Sequence, residues 1–276
     1  MFSYSYAAGD LFRFAKSRGW RTVLGQIDPG PEEERIVGRE HERYPHLSSR
    51  WKPAPPEYWD GWREEVEFSD RIIANSEWSR ECLMKEGILA EKVEVVPLVY
   101  QGRESNIAGI QRESRKKNEP FRLLFLGQVN LRKGIGRLLD AMRLLRDEAV
   151  ELVLVGPSEI SESEWADLPR VSWRGSVPRS EVVDHYERAD AFVLPTLSDG
   201  YAITQLEALS HGLPVLASKH CGGAVVDGVN GRILPDLEPE TIAETVLEMT
   251  HQSFPNVAPP SFGLEELADA LMELGS

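Results

Sequence analysis

Residues Thr196–Ala217 read TLSDGYAITQLEALSHGLPVLA. An apolar run, Ala191 to Pro195, ends just before this stretch, and the turn Leu197-Ser198-Asp199-Gly200 leads into a helical segment, Ala202 to His211. Asp199 in the turn and Glu207 in the helix stand eight residues apart. Eight residues make about two and a quarter helical turns, which predicts that both carboxylates face one side of the helix's N-terminal half. The free N–H groups and partial positive charge of a helix N-terminus suit a phosphate. A turn, an acid, a helix mouth and a second acid fit a ligand that carries both hydroxyls and phosphates. His211-Gly212 suits a helix C-terminus, so no chemistry falls to His211.

Strand and helix patterns alternate on both sides of this stretch. Phe121–Leu126 (FRLLFL) is a continuous apolar run, as in a buried parallel strand. Gly127 to Gly134 is a polar loop, and Ile135, Leu138, Leu139, Met142 and Leu145 recur at helical spacing over residues 135–146. Strands follow at 151–155, 171–174, 191–194 and 214–217, with helices at 179–188, 202–211 and 238–250. Such alternation predicts a parallel, doubly wound sheet with ligands at the carboxyl ends of its strands.

The stretch DGYAITQLEALSHGLPV resembles the motif of retaining glycosyltransferases of the GT-B fold, family 4 (glycosyl transferases group 1). That motif runs Glu-Gly-Phe-Gly, four residues, Glu-Ala, then Gly-x-Pro-Val. Gly200, Glu207, Ala208, Gly212, Pro214 and Val215 match it; Asp199, Tyr201 and Ala202 replace the usual Glu, Phe and Gly. The loop GQVNLRKGIGRLL, Gly127 to Leu139, is similar to the family's Gly-Arg…Lys-Gly loop, with Lys133 matching the lysine, Gln128 replacing the arginine and Arg132 able to substitute for it.

The resemblance implies transfer of a sugar from a nucleotide-diphosphate donor to an unknown acceptor (a saccharide, a lipid-linked or a small molecule) with retention, a hexosyltransferase-like activity without cofactor or metal. Glu207 matches the residue that grips the ribose, a task suited to a carboxylate that accepts two vicinal hydroxyls. The alternative is a helix-face Glu in a surface pair. Asp199 takes the place of the acid that holds the sugar; being one methylene shorter, its oxygens lie ~1.5 Å closer to the backbone. It also suits a plain turn or helix cap. Arg132, Lys133 and the amides of Gly200, Tyr201, Ala202 and Ile203 match the groups that stabilise charge on the leaving phosphate, with Thr204 adding a hydroxyl and Gln128 and Gly127 flanking the donor. The resemblance gives the base to backbone groups of the loop Trp173–Pro178 (WRGSVP), which reads equally well as a simple strand-to-helix turn. A truncated or non-catalytic relative that binds nucleotide or nucleotide sugar without transfer is the second reading.

The first hundred residues are less regular. A helix near Asp10 to Arg18 precedes a strand at 21–27; Asp28 to Glu34 (DPGPEEE) reads as a turn followed by acids, and Pro45 to Pro56 as a loop. A helix at 57–68, a strand at 70–74, a helix from Ser76 and a strand at 93–96 follow, and DRIIANSEWSRECLMKEGI with EKVEVVPL resembles the last strand–helix–strand of the family's N-terminal domain. That makes about three strands where a doubly wound domain has about six. The expectation is therefore an α/β, GT-B type chain of two Rossmann-like domains, the N-terminal one incomplete, as in a truncated gene model, a fragment or a degenerate copy. Its limits are 1–105 for the partial acceptor-side domain, 106–120 for a linker, 121–252 for the nucleotide-sugar domain, and 253–276 for a tail and helix packing back toward the N-terminal domain. Asp28, at a strand's carboxyl end, reads as a cleft residue or as an ordinary Asp-Pro-Gly turn.

Bulk properties narrow the field. With 276 residues, 41% hydrophobic and 28% charged, the composition is that of a globular protein. A net charge of −14 argues against general nucleic-acid binding. Arg13, Lys16, Arg18 and Arg21 crowd around Leu11, Phe12, Phe14 and Trp20, which reads either as a half-exposed helix or as a weak contact to an anionic membrane. Cys82 and Cys221 are far apart, consistent with a reducing cytoplasm. No Cys/His cluster, HExxH or Asp-x-Asp appears, no Gly-x-Gly-x-x-Gly supports an oxidoreductase, and no run approaches the ~20 apolar residues of a membrane span. MFSYSYAAGD lacks the basic and apolar regions of a secretion signal.

Overall fold

A computed structural model describes residues 1–47, 51–100 and 119–275. The chain begins with β1 (Phe2–Tyr4), α1 (Gly9–Ser17), β2 (Val23–Gln26), α2 (Pro31–Arg43), α3 (Pro56–Phe68), β3 (Arg71–Ala74), α4 (Glu77–Lys85) and β4 (Val93–Val95). These four strands form one parallel sheet in the order β1-β2-β3-β4. Next come β5 (Phe121–Leu126), α5 (Ile135–Leu144), β6 (Val150–Val155), β7 (Val171–Trp173), α6 (Arg179–Arg188), β8 (Ala191–Leu194), α7 (Ile203–Ser210), β9 (Val215–Ser218), β10 (Gly231–Leu234), α8 (Pro239–His251) and α9 (Leu264–Gly275). Here six parallel strands run in the order β10-β9-β8-β5-β6-β7. The fold is α/β with two parallel sheets, as expected.

The order of the second sheet locates the site. Strand β5 lies between β6 and β8, so the connections leave in opposite directions from β5 and β8. Such a switch point opens a crevice at the carboxyl ends of these strands. It is flanked by the loops after Leu126 and after Leu194.

Three elements escape the sequence reading. Strand β1 is only three residues long, at the chain's start, and β10 is four residues holding an arginine. The N-terminal sheet therefore has four described strands rather than three. Helix α2 occupies the segment read as an irregular acidic turn. Pro31 sits at its first turn with Glu32, Glu33 and Glu34, after Gly30 at φ +69°. Proline at N1 tolerates the missing N–H, and acids there complement the helix dipole, so the residues that suggested a break instead start a helix.

The six-stranded sheet holds most of the core, built on Leu123, Leu124, Phe125, Leu152, Leu154, Phe192, Val193 and Leu216. Tyr44 and Leu47, just beyond α2, join this cluster although they precede β3. The N-terminal sheet has its own core of eight buried residues, including Phe12, Leu24, Trp62, Ile72 and Leu83. Charged pairs tie the halves: Arg137 donates twice to Glu40, at 2.8 Å each, and Arg43 reaches Glu238 at 2.6 Å. Leu264, Leu267 and Leu271 of α9 face Phe2 and Tyr4 across a cavity of about 720 Å³. Of the expected linker, 106–118 lies outside the described residues, as do 48–50 of the expected loop.

Candidate active site

The two loops of the switch point interlock through backbone. Gly134 adopts φ +76°, and a Cβ there would lie 2.0 Å from the Pro195 carbonyl oxygen. Only glycine lets the loop after β5 press so closely on the loop after β8. The Leu197 amide donates to the Arg132 carbonyl at 2.9 Å, and the Thr196 hydroxyl reaches the same oxygen at 3.2 Å. The Asn130 side chain accepts from the Lys133 amide at 3.1 Å. These bonds fix the direction of Arg132 and Lys133.

Lys133 Nζ pairs with Asp199 Oδ2, the two side chains being only 14% and 17% exposed. Arg132 Nη1 stands 3.8 Å from Asp199 Oδ2 and donates to the Ser198 carbonyl at 3.2 Å. The structure thus unites Lys133, Arg132 and Asp199 as the motifs imply. It adds a group the sequence reading did not name: Glu33 of α2, with Oε1 3.8 Å from the same Arg132 Nη1. Burial pushes the Glu33 carboxyl up to about 7, with Asp28 and Asp199 adding to the rise while Arg132 opposes it.

The turn before α7 touches the first sheet. A Cβ on Gly200 would lie 2.3 Å from the Ile27 carbonyl oxygen and 2.8 Å from Asn75 Nδ2. The carboxyl ends of β2 and β3 therefore abut the site, and Trp78 Nε1 donates to Ser198 Oγ at 3.1 Å. Trp78 also lies against His220, ring centres 4.1 Å apart, where burial pushes the imidazole down to about 4. His220, in an unremarkable Lys-His-Cys string, left no signal in the sequence.

Two sequence inferences need correction. Helix α7 starts at Ile203, so Asp199 lies four residues outside it and the two-and-a-quarter-turn argument does not relate Asp199 to Glu207. Among the described residues no ion pair joins Glu207 to Lys133 or Arg132; Glu207 Oε2 instead accepts from Tyr186 Oη at 3.0 Å. Burial and the Glu207 charge push that phenol upward. The second correction concerns the amides. The Ala202 N–H donates to Cys221 at 2.9 Å and the Asp199 N–H to His220 at 2.9 Å, so Ala202 does not offer a free donor to a phosphate. Tyr201 is buried against Gly222, whereas Ile203 is exposed and Thr204 half-buried in the first turn.

The remaining residues fall nearby or elsewhere. Gln128 donates to Glu159, and Gly127, at φ +150°, starts the loop. Trp173 Nε1 donates to the Gly156 carbonyl at 2.8 Å, a structural role for the loop considered for a base. Asp28 fits both of its readings. Its Oδ1 accepts from the Gly30 amide at 2.8 Å, making the turn, and from Tyr6 Oη at 2.6 Å. It also lines a cavity of about 370 Å³ that runs from Tyr6, Tyr58 and Trp59 to Asn130 and Arg132.

Comparison with known proteins bears on the family and the fold. Residues 120–252 match the family model described as glycosyl transferases group 1. A D-inositol 3-phosphate glycosyltransferase from Kribbella flavida is 31% identical over 210 residues, covering 66% of this chain and 49% of the relative. The chain spans about half the length of the curated relatives it matches. Among solved structures, HepE from Anabaena in complex with UDP and glucose superposes with a TM-score of 0.67 at 18% identity, covering 99% of this chain and 77% of that one. Sucrose-phosphate synthase from Thermosynechococcus elongatus gives 0.71 at 18% identity, covering 99% and 72%. The architecture is the GT-B one.

Proposed function

We propose that this chain is a retaining GT-B glycosyltransferase of family 4 that takes a hexose from a nucleotide-diphosphate sugar. The observation that carries the reading is the meeting of Lys133, Arg132 and Asp199 at the switch point, against the carboxyl ends of β2 and β3. In this reading the donor's diphosphate competes with Asp199 for Lys133 and frees the carboxylate for the sugar hydroxyls. Lys133, Arg132 and the first turn of α7 at Ile203 and Thr204 neutralise the leaving group, with no metal. The bond from the anomeric carbon to the phosphate oxygen breaks, the acceptor oxygen bonds to that carbon, and its proton passes to the departing diphosphate. Glu207, with one oxygen fixed by Tyr186, takes the ribose. Gly127, Gln128, Gly200, Tyr201 and Ala202 shape the walls.

HepE's complex with UDP and glucose makes uridine donors the first to test. Calorimetry with UDP should show binding that Glu207→Ala weakens by roughly 10- to 100-fold, the worth of hydrogen bonds to a charged group. Unchanged affinity would remove Glu207 from the ribose site. Incubation with a panel of nucleotide sugars then identifies the donor.

One observation favours a second reading, nucleotide binding without transfer. Lys133 is engaged by Asp199 and the Ala202 amide by Cys221, so the chain's own groups occupy part of the diphosphate cradle. Tight UDP binding with no turnover of any donor would select it. We place the protein in the cytoplasm, in keeping with its two buried free cysteines. Among the described residues no helix is long and apolar enough to cross a membrane. Exposed Leu11, Phe14 and Trp20 beside Arg18 offer a surface for weak peripheral contact.

A further inference from the structure

The cavity of about 370 Å³ beside Arg132 has the size of a small-molecule site and an unusual lining. Rings supply much of its wall: Tyr6 and Tyr58 stack with centres 5.0 Å apart, and His41 and Trp51 with centres 4.6 Å apart. Its ionisable described residues are dominated by acids, Asp28, Glu33, Glu34 and Glu159, against Lys52, His41 and Arg132. Three of the acids are occupied from within. Asp28 accepts from Tyr6 and Gly30, Glu34 from the Ala54 amide and from Trp59 Nε1 at 2.8 Å, and Glu159 from Gln128 and Asn130. Of the four, Glu33 alone has a buried oxygen, Oε2, with no hydrogen-bond partner of ordinary geometry, the Ser198 hydroxyl lying only close enough to favour the charged carboxylate.

We propose that this cavity receives the acceptor and selects an uncharged saccharide over a phosphorylated one, with a saccharide hydroxyl donating to Glu33 Oε2. The inference rests on the glycosyltransferase reading and gives its acceptor a chemical class. Flat ring faces suit the C–H face of a pyranose, since aromatic side chains offer large apolar area at fixed geometry. A buried carboxylate oxygen without a donor is costly, and a ligand hydroxyl removes that cost. A phosphate monoester places its charge among these carboxylates, against only Lys52 and Arg132 of the described lining. Position also agrees: Arg132 Nη1 is 3.8 Å from Glu33 Oε1 and 3.8 Å from Asp199 Oδ2, so a hydroxyl held by Glu33 lies next to the sugar held by Asp199.

The test uses the whole chain and two titrations. Saturation-transfer NMR with a panel of methyl pyranosides and the same sugars as 6-phosphates reads the cavity; calorimetry with UDP reads the donor side. At least one neutral pyranoside should bind, its phosphate should bind at least tenfold more weakly, and Glu33→Ala should reduce the neutral affinity about tenfold while sparing UDP. Glu33→Gln, which keeps shape and removes charge, should narrow the preference against phosphate. Equal or tighter binding of the phosphate, no pyranoside binding, or indifference to both Glu33 variants overturns the inference. Failure of UDP to bind, with the saccharide preference intact, instead overturns the donor reading and leaves the saccharide site standing.

Discussion

The two sheets are built on the same parallel principle but are stabilised to different degrees. The six-stranded sheet has two strands of six residues, β5 and β6, and a continuous core that runs from Phe121 to Met249 and takes in Tyr44 and Leu47. The four-stranded sheet has strands of three or four residues and a core of eight buried residues. It leans on its larger neighbour: Tyr44 buries itself in the other core, Tyr44 Oη donates to Asp140 at 2.8 Å, and Glu40, its side chain 3% exposed, is clasped by Arg137. The difference teaches that the six-stranded half holds most of the buried core, whereas the four-stranded half leans on contacts with its neighbour.

The largest effect should separate the two cores. Phe12→Ala and Leu139→Ala each remove a fully buried side chain, one from each cluster. Each should cost about 3–5 kcal/mol or slightly less for leucine. Hydrogen exchange should show Phe12→Ala lowering protection in β1–β4 while β5, β6 and β8 keep theirs; Leu139→Ala should lower protection throughout, because the smaller sheet relies on the larger. Uniform loss in both variants would mean that the sheets unfold as one unit and that the contrast is only one of size.

A smaller effect separates chemistry from scaffold. Lys133→Ala removes a side chain that pairs with Asp199 and belongs to neither hydrophobic core cluster. Transfer, or donor hydrolysis, should fall by about 10²–10³, the usual cost of losing one charge-stabilising group. The melting temperature should move by only a few degrees, since part of the Asp199 charge still faces Arg132. A drop in stability that accounts for the whole loss of activity would make Lys133 a structural lysine.

How much was legible in the sequence follows the same division. The second sheet announced itself because buried parallel strands are continuous apolar runs: Phe121–Leu126 and Ala191–Leu194 form strands where the pattern put them. Lys133, Arg132 and Asp199 were legible through their motifs, and the backbone glycines that bring their loops together were in the same segments. What stayed hidden depends on contacts between distant segments. Strand β1, three residues long, has too little pattern to stand out, and α2 was masked by a proline and glutamates that also suit a turn. Glu33 and His220 acquire their properties chiefly from burial, which no local pattern shows. Tyr186 could not be matched to Glu207 from sequence, since the pair spans two separate helices.

The smallest effect reports on that contact directly. Glu33 belongs to the N-terminal half, but Arg132 and Asp199 of the other half help set its acidity, together with burial. Its carboxyl is raised from the ordinary 4.5 to about 7, so the folded chain keeps this proton over a range where the unfolded chain has released it. The folded state then binds more protons, and the Glu33 contribution to stability decreases as pH rises from 4.5 to about 7, then levels off. A contribution on the order of 1–2 kcal/mol is expected once the attraction of Arg132 and partial solvent access are allowed for. Urea unfolding of the protein and of Glu33→Gln should diverge across this window, the variant lacking the decline. Carboxylates held low by partners, such as Asp70 and Glu238, act in the opposite sense and cancel in the difference between the two proteins. Parallel pH profiles would show that the sheets do not enclose Glu33 in solution, and the dependence of the smaller sheet on the larger would then rest on the other contacts between them, led by Tyr44 and Glu40.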